Sequence, residues 1–269
     1  MRRRAAGNVV KAFLLVTILT LLAAGAGRLV GGRHTASLFA FSALLAAAAV
    51  YWTGDRVLLG MLGARPFALA ENPLLRSSSD RIAAALAITP PKLALIDDGF
   101  PRAFVVGRGP RSSTLAVSTG LLHALRREEL DAVIAHELVH VRARDVLTQT
   151  FAVLLAVTLI EASRMGGWLS QALLFLLAPV ASAFTHLLLS QRRELAADAV
   201  AASICDPHDL ADALLRLDRA AELVQFAASP ATEPLYAVDP FDPDDRLARM
   251  FRTHPALEAR VARLRAGTP

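Results

Sequence analysis

Residues 136–140 read HELVH, and this pentapeptide carries the most specific chemistry in the sequence. On a helix, the imidazoles of His136 and His140 project from one side and can bind the same metal ion. Glu137 leans over that side, where it can take a proton from a water molecule on the metal. The alternative is a helix with two surface histidines. A catalytic zinc normally has three protein ligands, so a third must come from elsewhere in the chain.

Glu194 is the candidate for that third ligand. It lies in the polar, helix-forming run RRELAADAVAA, residues 192–202, which follows a long apolar stretch. Two histidines, one glutamate and a water form the coordination set of a catalytic zinc, so the expected cofactor is one zinc ion per chain. Asp198, one helical turn later, is placed to accept a hydrogen bond from a ligating histidine. A charged helix end after a hydrophobic segment is the alternative interpretation of this run.

The HELVH motif belongs to a predicted helix that cannot lie inside a bilayer. Helical periodicity begins near residue 127, with apolar residues at positions 130, 134, 138 and 141. The motif is surrounded by charged side chains, which are costly at mid-bilayer. These are Arg126, Arg127, Glu128, Glu129, Arg142, Arg144 and Asp145. The site is therefore expected in a cytoplasmic domain or at the membrane surface.

Short strands are predicted before this helix. The runs 92–97, 103–107 and 114–118 are rich in β-forming residues, and DG and GRGPRSS supply turns between them. We interpret these runs as a small antiparallel sheet.

The composition indicates a membrane protein. Of the 269 residues, 54% are hydrophobic and only 6% aromatic, and the apolar excess is concentrated in long runs. Residues 12–27 and 35–54 carry no charge, and each is close to the ~17–20 residues that cross a bilayer. With a short loop between them, they are predicted to form a transmembrane hairpin. A cleaved signal peptide is the alternative for the first run, because the sequence starts with MRRR.

Basic residues flank this predicted hairpin at its outer ends, whereas its connecting loop contains only Arg28 and Arg33. The positive-inside rule then places both outer ends in the cytoplasm. The net charge of +5 follows from this bias, so nucleic-acid binding is not expected. The outer residues are Arg2, Arg3, Arg4 and Lys11 before the first run, and Arg56, Arg65, Arg76 and Arg81 after the second.

Residues 146–160 and 168–190 form a second pair of apolar runs, between the two parts of the predicted metal site. If the three ligands bind one ion, both ends of this stretch face the same side of the membrane, so it crosses an even number of times. A second transmembrane hairpin is favoured, and the polar residues 148–150 leave open whether the first run crosses completely. The single cysteine, Cys205, excludes an internal disulfide and fits a reducing compartment.

The sequence is therefore predicted to divide into alternating membrane and catalytic parts. Residues 1–56 form the N-terminal hairpin, 57–145 the first part of the catalytic domain, 146–190 the second hairpin and 191–269 the second part of the domain. Within the last part, residues 229–245 are rich in proline and acidic residues. A surface linker is the default interpretation of residues 229–245, and a lid over the site is the alternative.

With these segments in order, the sequence resembles the HtpX-type membrane zinc metalloproteases, relatives of the CAAX prenyl protease. The resemblance runs over nearly the whole chain and rests on blocks that occur in the family's order. They are AFVVGRGPRSSTLAVSTGLL (103–122), AHELVHVRARD (135–145), RRELAADAVA (192–201) and THPALEARVARLR (253–265).

The resemblance implies a mainly α membrane protein with two transmembrane hairpins and a cytoplasmic, zincin-like α+β catalytic domain. It implies a zinc endopeptidase of the bacterial inner membrane that acts in quality control. Its partners would be the lipid bilayer and protein substrates, above all misfolded membrane proteins. The oligomeric state stays open.

The resemblance also implies roles for individual residues. Zinc ligation is implied for His136, His140 and Glu194, general-base catalysis for Glu137, and stabilisation of the oxyanion for His254. Asp198 and Arg193 would support the ligands. Arg102, Ala103 and Phe104 would bind a substrate strand at the sheet edge.

Two positions depart from the family pattern. Arg102 stands where the family usually has an asparagine thought to hold the substrate backbone, so the peptide preference is in doubt. Val139 stands where a small residue is usual and is expected to affect only packing. An inactive membrane scaffold and a proton-relay transporter are the rival functions. The scaffold would lack a ligand or Glu137, and the transporter needs ionisable groups within spans, where only His186 lies well inside.

Overall fold

The computed structural model describes residues 2–68, 72–164, 167–223, 229–239, 241 and 244–267. The strands are β1 (Ala64–Pro66), β2 (Lys92–Ile96), β3 (Ala103–Gly107) and β4 (Ser113–Ser118). The helices are α1 (Arg2–Met61), α2 (Pro73–Ala85), α3 (Thr119–Ala124), α4 (Arg127–Ala143), α5 (Val146–Arg164), α6 (Ser170–Leu188), α7 (Gln191–Ala201), α8 (Pro207–Leu223), α9 (Arg246–Phe251) and α10 (Leu257–Arg265).

Helix α1 is broken at two central glycines. Gly31 and Gly32 have non-helical backbone angles, and Gly32, with φ 76° and ψ −151°, lies in a region essentially limited to glycine. Beside the break, a Cβ on Gly27 would lie 2.6 Å from the carbonyl oxygen of Thr35. Residues at this separation in a continuous helix are ~12 Å apart along the axis. The chain therefore changes direction at the break.

Within the described residues, three helices are long and apolar enough to cross a membrane. They are Val10–Met61 of α1, α5 and α6. Helices α5 and α6 pack against each other, and α1 packs against α5. Helix α6 exposes large apolar side chains such as Phe175 and Leu176, whereas many α5 side chains are buried. The apolar runs of the sequence are thus helical.

The sheet has the strand order β1-β2-β4-β3 and is mixed, so the prediction of an antiparallel sheet is wrong. Strands β2 and β4 are parallel, and the other two pairs are antiparallel. The reason is a crossover: the chain leaves β2, forms β3 at the far edge and returns through a tight turn into the centre. Strand β3 is left as an edge strand.

Both faces of the sheet are covered by protein. Side chains of Val105 and Leu115 pack into a core that includes α2 and α4. Side chains of Phe104 and Val106 pack into a second core with α5 and the end of α1. Helix α4 lies against β3 and β4 and also packs on α2, α7 and α8, and both its motif side and its apolar side are buried.

Residues 230–237 form a buried segment, so the interpretation of this part of 229–245 as a surface linker is wrong. The 230–237 segment begins with the 3-10 helix Pro230–Leu235, which packs against α5, α9 and β3. The Tyr236 ring meets the Phe104 ring edge to face at 6.2 Å. The side chains of the 230–237 segment are mostly apolar, and the segment therefore packs into the core. Positions 240, 242 and 243 lie outside the described residues.

Candidate metal site

Helix α4 presents the two motif histidines on one side, as predicted. It starts where the Glu129 carboxylate accepts a hydrogen bond from the backbone N–H of Arg126 at 2.8 Å. It ends at Arg144, which adopts the left-handed conformation with φ 58°. The rings of His136 and His140 are 5.1 Å apart.

Glu194 joins the two histidines from helix α7, which packs across α4. Its Oε2 lies 3.3 Å from Nε2 of His136 and 3.7 Å from Nε2 of His140. Ligand atoms of these three residues all lie within 4.8 Å of one another, and all three side chains are buried. The structure thus brings together the three ligands predicted from the sequence, although 53 residues separate His140 from Glu194.

The donor set fits a zinc ion. Each histidine turns Nε2 toward Glu194 and Nδ1 toward a different carboxylate, the arrangement that fixes the tautomer of a ligating histidine. Nδ1 of His140 lies 3.2 Å from Oδ2 of Asp145. Nδ1 of His136 lies 2.9 Å from Oδ1 of Asp198, although its N–H is not aimed directly at that oxygen. Two imidazole nitrogens and one carboxylate oxygen are left for the metal.

Asp145 was missed as a partner by the sequence reasoning, which treated it only as a charge flanking the motif. The chain leaves α4 through the left-handed Arg144, and the N–H of Asp145 then donates to the carbonyl of His140 at 3.3 Å. This turn points the carboxylate back at the His140 ring. The only signal in the sequence is an acidic residue just beyond the end of the motif helix.

Arg260 is a second residue that the sequence reasoning missed. It is 1% exposed and donates to both oxygens of Asp198 at 2.8 Å. Its third nitrogen donates to the carbonyl of Ala237. Burial would raise the pKa of Asp198, but the Arg260 guanidinium outweighs it and holds that pKa below its ordinary value. The signal was an arginine on the side of α10 that also carries the buried Val261 and Leu264.

Arg193 lies beside Glu194, one of the three predicted ligands. Its guanidinium binds Oε1 of Glu194 at 2.8 and 2.9 Å, which leaves Oε2 toward the histidines. It also donates to Oε1 of Gln149 at 3.2 Å, and Gln149 donates to the carbonyl of Pro234 at 2.7 Å. Burial would raise the pKa of Glu194, but the positive charges of Arg193 and His140 hold it well below its usual value.

Glu137 is 3% exposed and shares the helix with the two histidines. Burial raises its pKa above the ordinary value for a glutamate. A carboxylate in such surroundings is a stronger base than one in water, which suits proton abstraction at neutral pH.

His254 lies beside Glu194, although the sequence alone marked it only through the resemblance. Its Nε2 is 3.5 Å from Oε2 of Glu194, and its Nδ1 is 2.7 Å from Oε1 of Glu233. Burial lowers the pKa of His254, but the carboxylates of Glu233 and Glu194 outweigh it and raise that pKa to about 9. Burial likewise lowers the pKa of His140, but the carboxylates of Asp145 and Glu194 outweigh this effect and raise that pKa to about 10. A metal ion would displace the proton of His140, since ligating imidazoles are neutral.

The candidate substrate-binding residues lie at and just before β3. Arg102 is 8% exposed, and its guanidinium donates to Asp98 at 2.7 Å. The side chain of Phe104 is fully buried against Tyr236. The N–H of Ser118 donates to the carbonyl of Arg102 at 2.9 Å, so by alternation the backbone groups of Ala103 point away from β4.

Known proteins resemble this chain over most of its length. The family model "Peptidase family M48" matches residues 69–268. The chain is 39% identical to a "Protease HtpX homolog" of Acidiphilium cryptum, over 96% of both chains. It is 34% identical to "Protease HtpX" of Legionella pneumophila, over 96% of this chain and 99% of that one. The crystal structure of S. mikatae Ste24p has a similar fold, with a TM-score of 0.50 and 17% identity over 98% of this chain and 66% of that chain.

Proposed function

The chain belongs to peptidase family M48 and is a membrane-bound metalloprotease, and from this premise we propose that it is a zinc endopeptidase of membrane quality control. The observation that carries the proposal is the convergence of His136, His140 and Glu194 beside Glu137. One zinc ion per chain would be held by these three side chains.

The chain's own residues divide the work of hydrolysis. When bound, zinc polarises the scissile carbonyl and lowers the pKa of the attacking water. Glu137 takes the proton of that water and later delivers it to the leaving amine. His254 donates a hydrogen bond from Nε2 to the oxygen that becomes negative in the transition state. Asp198, Asp145 and Arg193 hold the ligands in place.

An extended substrate would add to β3 as a further strand. In and beside β3, the backbone N–H and carbonyl groups of even-numbered residues face β4. Just past the end of β3, for example, the N–H of Arg108 donates to the carbonyl of Ser112, the residue before β4. The backbone groups of Ala103 and Val105 therefore point away from β4, on the side where a substrate backbone would bind. Arg102 precedes this edge and would contact the same substrate, and Phe104 would act by fixing the position of the strand.

The proposed topology has two transmembrane hairpins with the catalytic domain in the cytoplasm. The reversal at Gly31–Gly32 supports the first hairpin, as does the packing of Leu15 and Gly54, from opposite halves of α1, near residues 150–154 of α5. The packing of α5 on α6 supports the second. The proposed boundaries are 1–56, 57–145, 146–190 and 191–269, in the inner membrane of a bacterial cell.

Misfolded membrane proteins are the proposed substrates, because the site is attached to helices that would keep it at the bilayer surface. Such substrates expose extended segments near the membrane, which an edge strand can bind. The test compares cleavage of a destabilised membrane protein with cleavage of its stable form, reconstituted in the same vesicles. Equal cleavage of both forms would contradict the quality-control role.

A pair of variants separates metal binding from catalysis. Glu194→Ala leaves two protein ligands, so both zinc content and activity should fall. Glu137→Gln keeps all three ligands, so zinc should stay near one per chain while peptide cleavage falls by ~10²–10⁴-fold. Glu128→Gln is the matched control, because Glu128 is an exposed residue of the same helix. Full zinc in Glu194→Ala would contradict the ligand assignment, and normal cleavage by Glu137→Gln would contradict the mechanism.

A further inference from the structure

Glu233 is a buried carboxylate that the proposed mechanism does not yet use. It is 0% exposed and lies in the 230–237 segment. Its Oε1 accepts from Nδ1 of His254 at 2.7 Å, and its Oε2 accepts from the hydroxyl of Thr253 at 3.0 Å. The backbone N–H of Thr253 also donates to this carboxylate, at 3.1 and 3.2 Å. A carboxylate buried this deeply is retained at a cost unless its partners are fully satisfied.

The Glu233 contact decides which way the His254 ring faces. His254 lies in the loop between α9 and α10, so no regular backbone pattern fixes its side chain. With Nδ1 bound to Glu233, Nε2 is the nitrogen directed at Glu194, 3.5 Å away. A ring free to rotate about its side-chain bonds would spend only part of its time in this orientation.

We propose that Glu233 is a positioning residue that holds His254 with Nε2 directed toward the scissile carbonyl. The inference rests on the proposed function of His254, whose hydrogen bond acts only in the transition state. Loss of Glu233 should therefore lower kcat and kcat/KM together and leave KM nearly unchanged. Zinc content should be unchanged, because within the described part of the chain Glu233 bonds to Thr253 and His254 and to none of the three predicted ligands.

A simpler role for Glu233 would be to anchor the 230–237 segment to Thr253. Thr253→Val tests it, because this variant removes the hydroxyl bond to Glu233 and leaves the bond to His254. An anchoring role predicts that Thr253→Val and Glu233→Ala lose stability and activity in parallel. The positioning role predicts that Thr253→Val keeps a near-normal kcat.

The decisive experiment is a double-mutant cycle between Glu233 and His254 in the full-length protein, with peptide cleavage and zinc content measured on every variant. His254→Ala should cost ~10²–10³-fold in kcat, as removal of an oxyanion donor does. Glu233→Ala should cost about 10–100-fold, the usual effect of losing a residue that orients an active one. In the His254→Ala background, Glu233→Ala should cause little further loss. Glu233→Gln should recover most of the activity, because its amide oxygen can still accept from Nδ1 of His254.

Equal losses from Glu233→Ala with and without His254 would overturn the inference, and so would a normal kcat in Glu233→Ala with full zinc. If Glu233→Ala fails to fold, Glu233→Met replaces it in the double-mutant cycle with His254→Ala, because methionine preserves the side-chain volume. Wild type and Glu137→Gln are measured in parallel. If wild type does not cut, or Glu137→Gln cuts normally, the proposed function falls together with this inference. If both behave as proposed and the cycle is additive, only the role of Glu233 is refuted.

Discussion

Replacing Arg260 with methionine should weaken the metal site without changing a predicted ligand. Arg260 is 1% exposed and donates twice to Asp198, whose Oδ1 lies 2.9 Å from Nδ1 of His136. Methionine has a similar length but removes the charge, so Asp198 is left buried without its main partner. The site would then lose both the charge balance of Asp198 and the fixed orientation of His136.

The expected magnitude follows from the burial of the pair. Removing one partner of a buried, hydrogen-bonded ion pair costs ~3–5 kcal/mol. For a domain of this size, each kcal/mol lowers Tm by ~2–4 °C, so Arg260→Met should lower it by about 6–20 °C. Loss of a residue that orients a ligand also lowers metal affinity by ~10–100-fold.

The assay combines thermal unfolding of the detergent-solubilised protein with zinc competition against a coloured chelator. Arg265→Met is the matched control on the same helix, because its ion pair with Asp212 is 51% and 44% exposed and should contribute only ~0–1 kcal/mol. Adding Asp198→Asn to Arg260→Met should restore part of the stability, since it removes the unpaired charge. This role of Arg260 is refuted if Arg260→Met is no less stable than Arg265→Met, or if it is destabilised while its zinc affinity is unchanged.

Further predictions concern topology, substrate binding and pH. Reporter fusions after Arg56 and after Gly267 should both report cytoplasm, and an external signal from either would contradict the proposed orientation. Arg102→Asn should change cleavage efficiency or site preference with zinc content intact, and an unchanged pattern on several substrates would place Arg102 outside the cleft. Arg260 holds the pKa of Asp198 below the ordinary aspartate value of ~3.9. The stability that this pair contributes is therefore complete above pH ~3.9 and is lost as the pH falls through the lowered pKa. The acid side of a Tm–pH curve should therefore be shallower for Asp198→Asn, and an unchanged slope would exclude this coupling.

The parts of the site that depend on local spacing were predictable from the sequence. The spacing of His136 and His140 places both rings on one side of a helix, whatever surrounds that helix. Glu194 was found because zinc chemistry demands a third ligand and the polar run after the apolar stretch offers a glutamate. The apolar runs predicted long helices, because length and hydropathy are sufficient to identify helices that could cross a membrane.

The order of the strands in the sheet could not be predicted from the sequence. Three short runs and two turns are compatible with several pairings, and an antiparallel meander is the simplest of them. The structure instead places β4 between β2 and β3, because the chain crosses to the far edge before it returns. Pairing between strands depends on contacts that no local pattern records.

Three residues that orient the ligands or His254 were decided by tertiary structure alone. Asp145, Glu233 and Arg260 each meet a histidine or its partner carboxylate through a loop or a distant helix. The 230–237 segment was expected at the surface from its prolines and acidic surroundings, yet it is buried between α5, α9 and β3. Sequence therefore determined which groups perform the chemistry, since one helix and one metal impose the spacing. Folding decided what holds those groups still, because a buried charge takes its partner from whatever part of the chain packs against it.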